Sequence, residues 1–277
     1  MRKKIALTVG LLVLLVGTLS AHDMFLKLSS YVLAPNSEAS VALINGTFDQ
    51  SENVITRDRM TDVSIVDGDG TVRHPDTSQW RDEGNRALLD FETGGAGTYV
   101  LGVSTAPQTI ELSAEDFNGY LEHDGVRDVL AARQEQGIMD HPARERYSKH
   151  VKAIAQVGDA RTRSFSHRLG YPIEIVPQQN PYTLRPGDTL DVRVLRDGKP
   201  VADQIVYASY EGHHAHDASG GHSEAVDTRT DANGIAQIPL SEPGRWYVRL
   251  IHMVPVDESG LDYESNWTTL TFELQSP

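Results

Sequence analysis

The chain has no cysteine. That excludes disulfides, thiolate metal sites, cysteine nucleophiles and lipid attached to cysteine; an exported chain can do without disulfides once its core is large enough. Positive charge is also scarce, with 25 Lys and Arg against 39 Asp and Glu and a net charge of −14. So acidic a chain repels nucleic acid and anionic lipid, and neither is an expected partner. Beyond residue 21 no apolar run approaches the roughly 20 residues that a membrane span takes. There is no Gly-x-Ser-x-Gly elbow, no His-Glu-x-x-His and no Walker loop, which removes the commonest hydrolase, metalloprotease and NTPase signatures. Gly94-Gly95-Ala96-Gly97 is rich in glycine, but it joins two strand patterns and opens no helix, so it reads as a turn.

What is there begins with residues 1–21. Arg2, Lys3 and Lys4 precede an uncharged stretch, 5–19, rich in Leu and Val, and Ser20-Ala21 supplies small residues for cleavage. This is the layout of a secretory signal peptide; an uncleaved anchor is the alternative. The expectation is a periplasmic or secreted protein with no membrane insertion after cleavage. Loss of the three basic residues would carry the net charge from −14 to −17. The remainder is long enough for two domains of ordinary size.

The rest of the chain reads as β, helical, then β. Val63 and Ile65 alternate with polar residues before the turn Asp67-Gly68-Asp69-Gly70, and Ala87, Leu89 and Phe91 alternate before the glycine turn, with Tyr99, Leu101 and Val103 on the way back. Over 113–157 the period changes. Ser113 and Asp116 resemble a capping pair, and Phe117, Tyr120 and Leu121, then Val126, Val129 and Leu130, then Tyr147, Val151, Ile154 and Ala155 fall at helical spacing. Strand patterns return with Leu190, Val192 and Val194, residues 204–210, residues 235–240, the face Trp246, Val248, Leu250 and His252, and Leu270, Phe272 and Leu274. The spacing predicts a mainly β chain of two β-sandwich-like domains. The first, 22–176, carries a helical insertion near 113–157; the second, 177–277, is immunoglobulin-like. Pro177-Gln178-Gln179-Asn180-Pro181 reads as the linker.

Four of the 11 histidines, His213, His214, His216 and His222, lie within ten residues, where an even scatter would put fewer than one. The segment Glu211–Glu224 has no large apolar residue, so it is a loop between strands. Neutral imidazole is a good ligand for Ni²⁺, Co²⁺, Cu²⁺ and Zn²⁺, and a loop with four of them can wrap one ion. A solvated polar loop is the bland alternative. If cleavage follows Ala21, His22 becomes the first residue, and its α-amine and ring nitrogen close a chelate that one further imidazole completes in a manner suited to Cu²⁺ or Ni²⁺. Cleavage after Ser20 would abolish it. His252 is a further candidate ligand, or an ordinary strand-end histidine. His74, His123, His141, His150 and His167 are expected at the surface beside charged residues. Asn45-Gly46-Thr47 and Asn266-Trp267-Thr268 match the glycosylation sequon, although Asn-Gly is also a common turn.

Several motifs together resemble one family: Ala21-His22-Asp23, the run Leu169-Gly170-Tyr171-Pro172-Ile173-Glu174-Ile175-Val176-Pro177, Asn180-Pro181-Tyr182, Gly187, Asp197-Gly198-Lys199-Pro200, Thr230-Asp231-Ala232-Asn233-Gly234 and Gly244-Arg245-Trp246. The chain is similar to the periplasmic component associated with nickel and cobalt uptake, long catalogued as a domain of unknown function. The resemblance implies capture of Ni²⁺ or Co²⁺ for a membrane uptake permease. It also implies a second domain like an immunoglobulin or carboxypeptidase-regulatory module, and His22 as a ligand. The leading expectation is therefore a metal-binding protein and not an enzyme. A copper-dependent oxidative enzyme using the N-terminal chelate, and a metal-free adhesion or binding module, are the competing readings.

Overall fold

A computed structural model describes residues 22–213, 215–216 and 222–276; residues 1–21, where a signal peptide is expected, and His214 lie outside them. In chain order the first elements are β1 (Asp23–Leu28), β2 (Val32–Leu33), β3 (Glu38–Gly46), β4 (Met60–Val66), β5 (Val72–Arg73), β6 (Trp80–Glu83), β7 (Arg86–Glu92), β8 (Gly97–Thr105) and β9 (Gln108–Leu112). Helices α1 (Ala114–His123) and α2 (Arg127–Gln136) and strand β10 (Ala143–Val157) follow. Then come β11 (Ile173–Pro177), β12 (Thr189–Arg196), β13 (Lys199–Pro200), β14 (Ile205–Tyr210), β15 (Ala215–His216), β16 (His222–Ser223), β17 (Val226–Arg229), β18 (Ile235–Pro239), β19 (Gly244–Glu258) and β20 (Leu261–Leu274).

The chain is mainly β, as the spacing predicts. A ten-stranded sheet runs β17-β14-β19-β20-β10-β8-β4-β5, with β2 and β9 paired to β10 beside that path. One four-stranded sheet is β1-β3-β7-β6; another is β11-β12-β13 with β18 on β12. The hairpin β19–β20 turns at Ser259-Gly260, where Gly260 adopts φ 79°, a left-handed conformation open to glycine at little cost. Its second strand then lies parallel to β10, from Glu145 opposite Tyr263 to Ala153 opposite Thr271. This pairing joins strands from both halves of the chain, and one apolar core contains Val151 and Ala153 as well as Trp246, Leu270 and Phe272. On β20 the sides alternate: Leu270, Phe272 and Leu274 enter that core, while Tyr263 and Trp267 pack with Phe117, Tyr120 and Leu121 of α1.

Helical structure covers 114–136 as the periodicity predicts, and the Ser113 side chain accepts from the Asp116 backbone N–H at the start of α1. Residues 143–157 depart from expectation, forming strand β10 and no helix. Val151 and Ala153 face the apolar core, while His150, Lys152 and Gln156 are also buried and hydrogen-bonded. A central strand buried on both sides loses the simple alternation by which strands are read. Its Tyr147, Val151 and Ile154 then imitate a helical stripe. The glycine turn also differs: β7 and β8 belong to different sheets, so it carries the chain between layers. The segment 177–181 is docked and does not hang as a linker. Asn180 and Tyr182 are buried, and the Tyr182 hydroxyl donates to the Ile154 carbonyl at 2.7 Å.

Candidate functional site

β1 is an edge strand of its sheet, and an edge leaves carbonyls to be satisfied. Thr269 and Thr271 of β20 donate to the carbonyls of Met24 and Leu26 at 2.7 and 2.6 Å. This lays the start of β1 across the middle of the large sheet, with His22 just before it. The His22 carbonyl accepts from the Lys149 ammonium, and the ring Nε2 lies 2.9 Å from Glu52 Oε2. Glu52 arrives because the chain folds back sharply after β3. A Cβ on Gly46 would stand 2.3 Å from the Gln50 carbonyl oxygen, so only glycine fits the fold-back.

Asp23, the next residue, points toward Arg249. Burial pushes its carboxyl up to about 6, and the Arg249 guanidinium opposes that rise. Arg249 is 8% exposed; its Nε lies 3.4 Å from Asp23 and 2.9 Å from Glu224, and its Nη1 donates to the Asp124 carbonyl at 3.2 Å. Glu224 also accepts from the Tyr247 hydroxyl at 2.5 Å. Glu224 closes the histidine-bearing loop. At the loop's other end, Glu211 pairs with Lys27 at 2.7 Å and with Arg245 at 3.3 Å. Both feet of the loop therefore stand on β1, one on Lys27 and one on Asp23 through Arg249. Those two positions lie about 13 Å apart along an extended strand.

Within the loop, β15 and β16 pair antiparallel and put His216 opposite His222. The His213 ring packs edge-on against Tyr210 at 5.1 Å, and its Nε2 is buried with no hydrogen-bond partner among the described residues. The structure thus brings the loop's anchors and His22 to one strand. His252 does not join them. Its Nδ1 lies 2.9 Å from Gln204 Oε1, and burial and Arg196 hold its pKa down. Among the described residues no three His, Asp or Glu side chains are grouped to hold a metal.

One sequence expectation about a single residue is corrected. His150 is not at the surface: it is 2% exposed, with Nδ1 2.9 Å from Ser104 Oγ and Nε2 3.0 Å from Ser148 Oγ. Its pKa falls to about 4, mainly through burial. The two sequon asparagines are buried, Asn45 accepting from Lys149 at 2.9 Å and Asn266 lying 3.2 Å from His150 Nε2. Buried amides bonded in this way are not offered for glycosylation.

Sequence reading missed a cavity of about 260 Å³ behind His22, walled by Arg59, Tyr120, Glu145, Lys149 and Trp267. Glu145 is 2% exposed and accepts from the Tyr120 hydroxyl at 3.2 Å and from Ser265; burial pushes its pKa up to about 7. Lys149 is 6% exposed, and burial lowers its pKa to about 8. The signal was present as Glu145, Tyr147 and Lys149 at alternate positions, a single face only if the segment is a strand.

A family model described as Domain of unknown function (DUF4198) matches residues 19–254. The chain belongs to this family. The match includes His22, the cavity-lining residues of β10 and the histidine-bearing loop. No curated protein matches the chain. Among solved structures it is similar to the D0-D1 domain of intimin, at 13% identity and TM-score 0.22, covering 90% of this chain and 97% of that one. It is similar also to Salmonella alpha-2-macroglobulin reacted with methylamine, at 11% identity and TM-score 0.27, covering 91% of this chain and 15% of that one. The Yersinia pseudotuberculosis adhesin InvE matches at 14% identity and TM-score 0.23, covering 92% of this chain and 59% of that one. No helix among the described residues is long and apolar enough to cross a membrane.

Proposed function

We propose that this chain is an extracytoplasmic binding protein for a divalent transition metal, Ni²⁺ or Co²⁺, that serves metal uptake through a membrane permease. The site is His22 together with the loop histidines His213, His214, His216 and His222. One observation carries the reading: both feet of the loop, Glu211 and Glu224, are held on β1 at Lys27 and, through Arg249, at Asp23. The loop's histidines and His22 therefore need no domain movement to meet. Two details add support. The buried His213 Nε2 has no hydrogen-bond partner among the described residues, and buried polar atoms are normally satisfied. The Glu52 carboxylate on His22 Nε2 favours the tautomer with its proton there, as carboxylates do behind metal-bound histidines. That tautomer leaves Nδ1 able to close a chelate with the α-amine of a chain beginning at His22.

The test begins with the N-terminus and metal content of the exported protein by mass spectrometry. Ni²⁺, Co²⁺ and Cu²⁺ affinities follow by calorimetry for the wild type, a variant with Ala inserted before His22, a variant with the four loop histidines replaced by Ala, and the combination. A shared site makes the combined loss much smaller than the sum of the two. Losses that add would indicate separate sites, and undiminished binding in the loop variant would remove the loop from the proposal. Preference for Cu²⁺ with peroxide-dependent oxidation of a polysaccharide would favour the copper enzyme instead.

A further inference from the structure

Two lysines of β10 are buried, and among the described residues only one is in an ion pair. Lys152 lies 3.0 Å from Glu174 in a pair sealed from solvent. Lys149, three residues earlier, is hydrogen-bonded only to neutral groups, the His22 carbonyl and Asn45 Oδ1 at 2.9 Å, and stands over the face of Trp267 with its centroid 5.1 Å away; the carboxylates of Asp23, Asp124 and Glu145 favour its charge through space without forming an ion pair. No carboxylate forms an ion pair with it among the described residues. Buried charges are normally paired. A second cation walls the same cavity. Arg59 donates from Nη2 to the Ala106 carbonyl at 3.3 Å and lies over the Tyr147 ring, but its Nε is buried with no hydrogen-bond partner. Burial disfavours the Lys149 ammonium; the Asp23 carboxylate opposes that effect and the Arg59 charge adds to it. Two cations with unused bonding capacity thus share one small space.

The acids nearby are otherwise engaged. Glu145 accepts from Tyr120 and Ser265, and Asp23 faces Arg249. Besides the polar His22, Asn45 and Asn53, the lining has Val54, Ile55, Ile110 and Leu112 and the stacked rings of Tyr120 and Trp267, whose centroids are 5.8 Å apart. The volume of about 260 Å³ lies just under the usual range for ligand pockets, about 300–1,000 Å³. It exceeds the roughly 150 Å³ that suffices for benzene.

We infer that this cavity binds a small organic carboxylate, its anionic head between Lys149 and Arg59 and an apolar body of about one ring on Trp267. The site adjoins the proposed metal site through His22 but needs no metal, so either can fail alone.

The experiment uses the mature protein freed of metal by chelation and dialysis. Phenylacetate and hexanoate are titrated by calorimetry, with phenylacetamide as the neutral control. The expected result is saturable 1:1 binding of at least one carboxylate, at least tenfold weaker binding of the amide, and at least tenfold loss in both Lys149→Met and Arg59→Gln. Should Lys149→Met fail to fold by circular dichroism, Arg59→Gln at its half-buried position decides. No saturable binding of either carboxylate, amide binding equal to that of phenylacetate, or unchanged affinity in Arg59→Gln would each overturn the inference.

Discussion

Replacing Arg249 by Met should destabilise this protein far more than a typical substitution. The guanidinium stands 3.4 Å from Asp23 and 2.9 Å from Glu224, and the three side chains are only 10, 15 and 11% exposed. Methionine keeps much of the stem's volume, so the loss is electrostatic: two nearly buried carboxylates lose the cation between them. Breaking a buried pair by removing one partner costs about 3–5 kcal/mol. Near this size each kcal/mol moves Tm by about 2–4 °C, so the melting point should fall by roughly 6–20 °C. The triple variant Asp23→Asn, Glu224→Gln, Arg249→Met removes all three charges together. Neutralising a whole buried ion cluster is often close to neutral, so it should recover most of the loss. Urea unfolding at pH 7 measures both. Amide exchange over 222–229 should quicken in the single variant, because the second foot of the loop is freed. A single-variant loss under about 1 kcal/mol, or a triple variant less stable than the single, would refute the view that Arg249 clamps the loop to β1 by charge.

The remaining predictions are simpler. His150 has a folded-state pKa of about 4 against 6.5 for the free side chain, so its contribution is present above about 6.5 and is lost as pH falls toward 4. By linkage that is about 2 kcal/mol at pH 5 relative to pH 7; His150→Gln should flatten the wild-type stability curve over that interval by this amount, and parallel curves would contradict the assignment. Gly97→Ala should destabilise more than Gly102→Ala in thermal melts. A Cβ at Gly97 meets the Gly68 backbone at 2.4 Å, whereas at Gly102 it meets the movable side chains of Leu169 and Tyr171 at 2.1 and 2.7 Å. Overpacking of the second kind costs about 1–3 kcal/mol, and an equal or reversed order would show that the 68–97 contact can relax.

Local chemistry was legible along the chain. Asp67 to Gly70 makes the turn its residues call for, closed by the Gly70 N–H on the Asp67 carbonyl at 2.9 Å. Ser113 begins a helix, and Trp246, Val248 and Leu250 bury one face of β19. Each of these depends on neighbours a few residues away, which is the range over which periodicity and capping act. The histidine cluster was likewise visible as composition, although the anchors that hold it were not. Those anchors join residues 184 positions apart at Lys27 and Glu211, and Asp23 meets Glu224 only through Arg249. β10 was misread for the same reason. A strand flanked by strands and buried on both faces takes its polar residues from partners elsewhere: His150 from Ser104 and Asn266, Lys152 from Glu174, Lys149 from Asn45. Sequence alone therefore determined a mainly β chain with a helical excursion after residue 113 and a histidine-rich segment. Tertiary structure decided that β10 lies parallel to β20, that β1 crosses them, and that His22, the loop's two feet and the cavity at Lys149 meet there. Strand pairing and charge compensation act through space between residues far apart in sequence, and no local pattern records their partners.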